Sequence, residues 1–208
     1  MIMNIIFDWS GTLSDDFFKV YQATMMVFNE LGLKRISFDE FKNDFEIPYM
    51  KFYAKYAPEA KKQDLDKLFI EATFSVGEPK PFSDSSKVLK ALKSGGIRMA
   101  VLSSIPQKKF EKEVMDYGFG GFFVSIRAGV HDKTEVILDM MDELGFKKNE
   151  TAYVGDMTHD IDAGKKAGVT TIAVTWGYQP KEKLKKSKPD LIIDDLGSLI
   201  KIVETSNQ

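Results

Sequence analysis

From Pro81 onward, short β-branched runs alternate with amphipathic stretches, and this rhythm constrains the fold more than any other feature. Strands separated by whole helices cannot pair as hairpins; they must cross over and lie parallel, with the helices packed on the sheet. The candidate strands are Ile97–Ser103, Phe122–Ile126, Thr151–Val154, Thr171–Thr175 and Leu191–Ile193. Between them fall helical patterns. Val88, Leu89 and Leu92 mark one that ends at Gly95-Gly96, and Phe110, Val114 and Met115 mark one that ends near Gly118. Val136, Ile137, Met140, Met141 and Leu144 form a third, stopped at Gly145, and Ile161–Ala167 a fourth, with Gly168 as its C-cap. Residues 4–8 add a further strand at the start. The fold class expected is α/β, with a Rossmann-like parallel sheet as its core.

Residues 15–80 interrupt the rhythm. Phe17, Tyr21, Met25 and Phe28 recur at helical spacing, and Ser37 with Glu40 has the capping-box pattern that opens a helix carrying Phe41 and Phe45. Leu65, Leu68, Phe69, Ala72 and Val76 form an amphipathic stripe stopped by Gly77. The aromatic density fits the core of a small helical bundle, since a small core gains most from large side chains. Residues 1–14 and 81–208 are therefore expected to form one α/β core, and residues 15–80 a helical domain inserted after its first strand.

Composition limits the function classes. The 208 residues include no cysteine, which excludes disulfides, Cys-based zinc sites and thiol chemistry. A net charge of −2 gives no basic field for nucleic acid or anionic membrane. No apolar stretch approaches the roughly 20 residues needed to span a bilayer. The N-terminus lacks the basic region and cleavage site of a signal peptide, so the cytoplasm is the expected location. The lysine-rich run Lys181–Lys188 reads as a solvated helix or loop.

In an open parallel sheet, functional groups gather where strands end at their carboxyl edge. Asp8 follows the first strand in Asp8-Trp9-Ser10-Gly11-Thr12, and Ser103 with Ser104 ends the second. Lys133 lies at the start of the helix after the third, and Asp156 and Asp160 follow the fourth in Gly155-Asp156-Met157-Thr158-His159-Asp160. Singly, each has an ordinary reading: Asp8 as a turn residue, Asp156 as a helix cap (with Thr158 the better cap), Lys133 as a surface lysine. Together, a nucleophilic carboxylate, a hydroxyl, an ammonium and a metal-binding acid pair are what phosphoryl transfer requires.

These four motifs, in this order, resemble those of the haloacid dehalogenase-like hydrolases, specifically the phosphoglycolate-phosphatase-type members with a helical cap inserted after the first strand. The resemblance extends to Asp160-Ile161-Asp162-Ala163-Gly164 and to Val174-Thr175-Trp176-Gly177-Tyr178. It implies a phosphatase acting on a small phosphorylated metabolite such as phosphoglycolate. Asp8 would attack phosphorus and form an aspartyl-phosphate that water hydrolyses. Mg²⁺ would be bound by Asp8, the Ser10 carbonyl and Asp156, with Asp160 as an outer ligand or as the group that orients Lys133. Ser103, Ser104 and Lys133 would hold the phosphate, and the cap would close over the substrate. Monomer and homodimer both remain open.

The first motif departs from the family at Ser10, where an aspartate normally protonates the leaving oxygen and then activates water. A serine hydroxyl is far too weak an acid for that role, and losing positioned acid–base catalysis costs about 10²–10⁴-fold in rate. Four explanations stand. The substrate has a good leaving group, as in an acyl phosphate or pyrophosphate; His131 or His159 supplies the proton; the protein is a weak phosphatase; or it is a non-catalytic phosphate-binding relic. The motif is also similar to the Asp-Trp-Ala-Gly-Thr of phosphonatases, which cleave C–P bonds through a cap lysine, a role for which Lys51 is the candidate. Dehalogenases lack the second aspartate as well and use no Mg²⁺.

Overall fold

The computed structural model describes residues 1–130 and 132–206. They divide into two compact units, Met1–Asp15 with Lys80–Gln208, and Asp16–Pro79.

The larger unit is built on a sheet of six strands, Asn4–Phe7 (β1), Arg98–Leu102 (β4), Phe123–Arg127 (β5), Thr151–Gly155 (β6), Thr170–Val174 (β7) and Leu191–Ile193 (β8), in the order β5-β4-β1-β6-β7-β8. Every neighbouring pair is parallel. Ile5 of β1 lies opposite Met99 of β4 on one side and Ala152 of β6 on the other. The order runs outward from β1 in both directions, so the chain reverses its direction of travel between β1 and β6. That reversal opens a crevice at the carboxyl ends of these two strands, the place where open α/β sheets put ligands.

The period-two alternation of the strands assigns each residue a face. Ile5, Phe7, Met99, Val101, Val154 and Ile172 join a core with Val88 and Leu89 of Ser85–Ser94 (α5), Phe110 and Val114 of Gln107–Asp116 (α6), and Leu199 of Ser198–Ser206 (α10). Ile6, Ala100, Leu102 and Tyr153 face the opposite layer, against Ile137 and Met140 of Lys133–Leu144 (α7) and Ala163 and Ala167 of Thr158–Ala167 (α8). With both faces covered, β1 is buried along its whole length, and its apolar side chains, Ile5, Ile6 and Phe7, each contribute about 1.5–3 kcal/mol by leaving water. The remaining helix of this unit, Lys181–Lys186 (α9), buries only Leu184, as a solvated lysine-rich helix should.

The smaller unit contains four helices, Phe17–Glu30 (α1), Phe38–Asp44 (α2), Met50–Tyr56 (α3) and Lys62–Thr73 (α4). Phe28, Phe41 and Phe52 form its centre, with Phe41 edge-on to Phe52 at 5.2 Å between ring centroids. The expected capping box is present: Glu40 N–H donates to Ser37 Oγ at 3.1 Å, and Ser37 N–H to the Glu40 carboxylate at 2.7 Å.

Four details differ from the sequence reading. Helix α4 stops at Thr73, short of Gly77, and Lys19 Nζ donates to the Val76 carbonyl at 2.8 Å beyond it. Met115, assigned to the apolar face of α6, is 79% exposed. Thr158 is the first residue of α8, and Met157 occupies the cap position. A two-stranded antiparallel ribbon, Ser14–Asp15 (β2) with Lys80–Pro81 (β3), was not expected. Among the described residues, no helix is long and apolar enough to cross a membrane.

Candidate active site

Asp8 follows β1 directly, and its amide still donates to Val154 O of β6 at 2.8 Å, so its backbone is held as firmly as the strand. The chain then turns tightly: the amides of Thr12, Leu13 and Ser14 all donate to the Trp9 carbonyl, at 3.1, 2.9 and 2.9 Å. Gly11 makes this possible with φ +72°, a left-handed conformation, and a side chain there would run into Asp156 and Tyr178.

Asp156 follows β6, the neighbour of β1, and is fully buried. Its Oδ2 accepts from the Tyr178 amide at 2.6 Å, and its Oδ1 lies 3.5 Å from Thr12 Oγ1. Asp160 sits in the first turn of α8, where its Oδ2 accepts from the Met157 amide at 3.0 Å and satisfies a helix-end donor. Gly155 carries no side chain that would collide with Asp160, and Gly177 none that would displace Asp156.

Lys133 is the first residue of α7, whose start is fixed by Asp132: its carboxylate accepts from the amides of Thr134 and Glu135 at 2.9 and 3.4 Å. Its ammonium donates to Asp8 Oδ1 at 2.7 Å and to Asp160 Oδ1 at 2.6 Å. Tyr153 O–H donates to the same Asp160 oxygen at 3.1 Å. Three distant loops thus converge on one ammonium, and oxygens of Asp8, Asp156 and Asp160 lie within 4.8 Å of one another.

Such crowding out of water perturbs every group. Burial pushes the Asp8 carboxyl from 3.8 up to about 7, with Lys133 opposing the rise and Asp160 adding to it. Burial, then repulsion from Asp160 and Asp8, raises Asp156 well above the carboxylate range. At Asp160 burial works against ionisation, but the neighbouring His159 and Lys133 and the Met157 amide outweigh it and hold the carboxyl low. Burial likewise penalises the Lys133 ammonium, yet Asp160 and Asp8 hold it above the ordinary lysine range. With all three acids ionised, the cluster and Lys133 together carry two uncompensated negative charges. Hard carboxylate oxygens with that surplus suit Mg²⁺, so the donor set fits the metal that the resemblance implies.

The other candidates are placed as follows. Ser103 is buried at the end of β4, where its Oγ accepts from the Ile105 amide at 3.3 Å; Ser104 beside it is exposed. Ser10 Oγ is buried and has no hydrogen-bond partner among the described residues. His159 turns Nε2 toward Asp160 Oδ1 at 3.4 Å, and burial pushes its imidazole down to about 4. Its Nδ1 is enclosed without a partner among the described residues. Lys51 is exposed on α3, and His131 lies outside the described residues.

The supporting roles of several residues escaped the sequence reading. Trp9, next to Asp8, points into the core, stacks on Tyr117 at 5.3 Å and donates its indole N–H to Glu113 of α6 at 2.7 Å. Trp176 donates to the Thr12 carbonyl at 3.2 Å from the other side. Glu113 shares the α6 face of Phe110 and Val114, and an acid at such a position was a readable signal. The Tyr178 amide was not readable, since a backbone donor leaves no mark on residue type.

A Rossmann-like sheet that gathers three carboxylates and an ammonium at its switch point belongs to an enzyme. The family model of haloacid dehalogenase-like hydrolases matches residues 5–174. The chain therefore belongs to the haloacid dehalogenase-like hydrolases, and its relatives there place it among the phosphatases of that superfamily. It is 27% identical to a phosphoglycolate phosphatase of Aquifex aeolicus, covering 96% of both chains. It is 28% identical, over the full length of both, to a Clostridium perfringens protein provisionally named pyrophosphatase PpaX. A haloacid dehalogenase-like hydrolase from Streptococcus pneumoniae has the same fold, with a TM-score of 0.82 and 19% identity over 97% of this chain and 98% of the other.

Proposed function

We propose that this phosphatase is Mg²⁺-dependent, acts on a small phosphorylated metabolite, and works through an aspartyl-phosphate on Asp8. The observation that carries the reading is the convergence of Asp8, Asp156 and Asp160 around Lys133. Asp8 is the nucleophile: it is the acid fixed by the central strand, and its position on a rigid element holds the attacking oxygen still. Lys133 keeps Asp8 oriented and offers positive charge to the phosphate oxygens. Asp160 positions Lys133 from behind. Because Ser103 Oγ already accepts from the Ile105 amide, its own proton is available to a phosphate oxygen, with Ser104 as a second donor on the same loop.

Mg²⁺ would be held by Asp8, Asp156 and the Ser10 carbonyl, with Asp160 as an outer partner. When bound it supplies the positive charge that offsets repulsion between the phosphate and Asp8. The helical unit, as a cap, is the natural source of substrate specificity. Phosphoglycolate, the substrate named for the A. aeolicus relative, is the reference compound. The test is a panel of phosphate esters, phosphoanhydrides and phosphonoacetaldehyde, assayed with MgCl₂ and with EDTA. Metal-dependent phosphate release that disappears in Asp8→Asn is the expected result, and release that persists in that variant refutes the mechanism.

A further inference from the structure

Transfer of a phosphoryl group to Asp8 forms an O–P bond and breaks the P–O bond to the leaving group, whose oxygen departs with the electron pair. An alkoxide oxygen needs a proton as it leaves; a carboxylate or phosphate oxygen does not. None of the side chains bonded to the three acids is placed to give up a proton. Lys133 donates two of its three protons to Asp8 and Asp160, which hold it too basic to release one; Tyr153 donates to Asp160, and Thr12 faces Asp156. His159 aims Nε2 at Asp160, and its Nδ1 is enclosed. Two residues beyond Asp8, where the resemblance puts the acid that protonates the leaving oxygen, stands Ser10, whose buried Oγ has no partner among the described residues and whose hydroxyl is too weak an acid to serve.

From this arrangement we infer, on the reading proposed above, that the site is selective for phosphoryl groups carried on an acidic oxygen, as in acyl phosphates and phosphoanhydrides, and turns over alkyl esters slowly. The same deficiency acts on the second half of the reaction. Water attacks the phosphorus of phosphorylated Asp8, the P–O bond to Asp8 breaks with its electrons returning to the carboxylate, and orthophosphate leaves. The proton of that water passes to solvent, because Ser10 is no base to take it. Hydrolysis is therefore the slow step, and phosphorylated Asp8 accumulates.

The experiment compares kcat/KM, with MgCl₂ present, for acetyl phosphate, pyrophosphate, 4-nitrophenyl phosphate, glycerol 3-phosphate and phosphoglycolate, in the wild type and in Ser10→Asp. The compounds with acidic leaving groups are expected to exceed the two alkyl esters by about 10²–10⁴-fold, and Ser10→Asp to close most of that gap. Rapid mixing with 4-nitrophenyl phosphate is expected to release a burst of nitrophenolate near one equivalent per chain, lost in Ser10→Asp. Acetyl phosphate and pyrophosphate separate an acyl from an anhydride substrate. Equal kcat/KM across the series overturns the inference. So does a gap that opens only in His131→Asn or His159→Asn, since an imidazole would then be the donor. A gap without a burst keeps the selectivity and overturns the long-lived phosphoenzyme. No phosphate release from any compound overturns the phosphatase mechanism itself, an outcome distinct from turnover without selectivity.

Discussion

A buried ammonium bonded to two carboxylates at 2.7 and 2.6 Å makes each member of the group depend on the others. Asp8→Asn removes one acid from a crowded cluster while leaving Lys133 paired to Asp160. The variant is therefore expected to fold with an unchanged circular dichroism spectrum and to lose activity by at least about 10³-fold, as nucleophile removal does elsewhere. Lys133→Met is the contrasting case. It strands Asp160 as a buried, uncompensated charge and takes from Asp8 the cation that favours its ionisation, and breaking a buried pair in this way costs about 3–5 kcal/mol. Urea denaturation of this variant in EDTA should show a midpoint lowered to match, and an unchanged midpoint would mean that solvent reaches the acids. Asp8, Asp156, Asp160 and Lys133 were all legible in the sequence because each stands directly after a strand or at a helix start. Their pairing was not, because the distance between residues 8 and 133 is set by the sheet and not by the chain.

At the scale of elements, the loop after β1 is clamped from two sides, by α6 through Trp9 and by the segment after β7 through Trp176. Glu113→Ala leaves the buried Trp9 indole N–H without its acceptor, a loss of about 1–3 kcal/mol that a urea titration would register. Gly11→Ala is expected to reduce activity as well as stability, since its Cβ would press on Asp156 and its φ would be strained by about 1–3 kcal/mol. The measurement is kcat/KM against unfolding free energy; a stability loss with full activity would show that Asp156 tolerates displacement. Element types were read well where helices carried a stripe and a glycine stop, as in α7, which ends at left-handed Gly145. The ribbon β2–β3 was invisible because two-residue strands have no periodicity and Pro81 argues against a strand. Met115 was misplaced because its neighbours Phe110 and Val114 suffice to bury that face of α6.

For the whole molecule, the acid cluster couples stability to protons and to metal. Without metal, folded Asp8 keeps its proton up to about pH 7, whereas the unfolded chain releases it near pH 3.8. Between those values the folded state binds more protons, so this group's contribution makes stability fall as pH rises from about 4 to about 7. Asp156, raised for the same reasons, acts in the same direction, while His159, pushed down by burial, opposes them between about 4 and 6.5. In EDTA the protein is expected to melt at a higher temperature near pH 5.5, inside that window, than near pH 7.5, just above it. MgCl₂ at 100 times its Kd should add about 2.7 kcal/mol of stability, and a given concentration should raise the melting point more at the higher pH, where protons compete less for the acids. Calorimetry at the two pH values with and without MgCl₂ checks both; a metal-free protein more stable near pH 7.5 would contradict the assignment. The parallel architecture was legible at this scale because crossover connections allow little else, while strand order, and with it the crevice beside β1, comes only from three dimensions.

The ribbon formed by Ser14–Asp15 and Lys80–Pro81 brings the two ends of the inserted segment side by side. The chain can therefore leave and rejoin the sheet at one spot, and the strand before that spot never senses how much polypeptide lies between. Lengthening, exchanging or trimming the insert need not disturb Asp8, which makes this junction a natural splice site for grafting new selectivity onto unaltered chemistry.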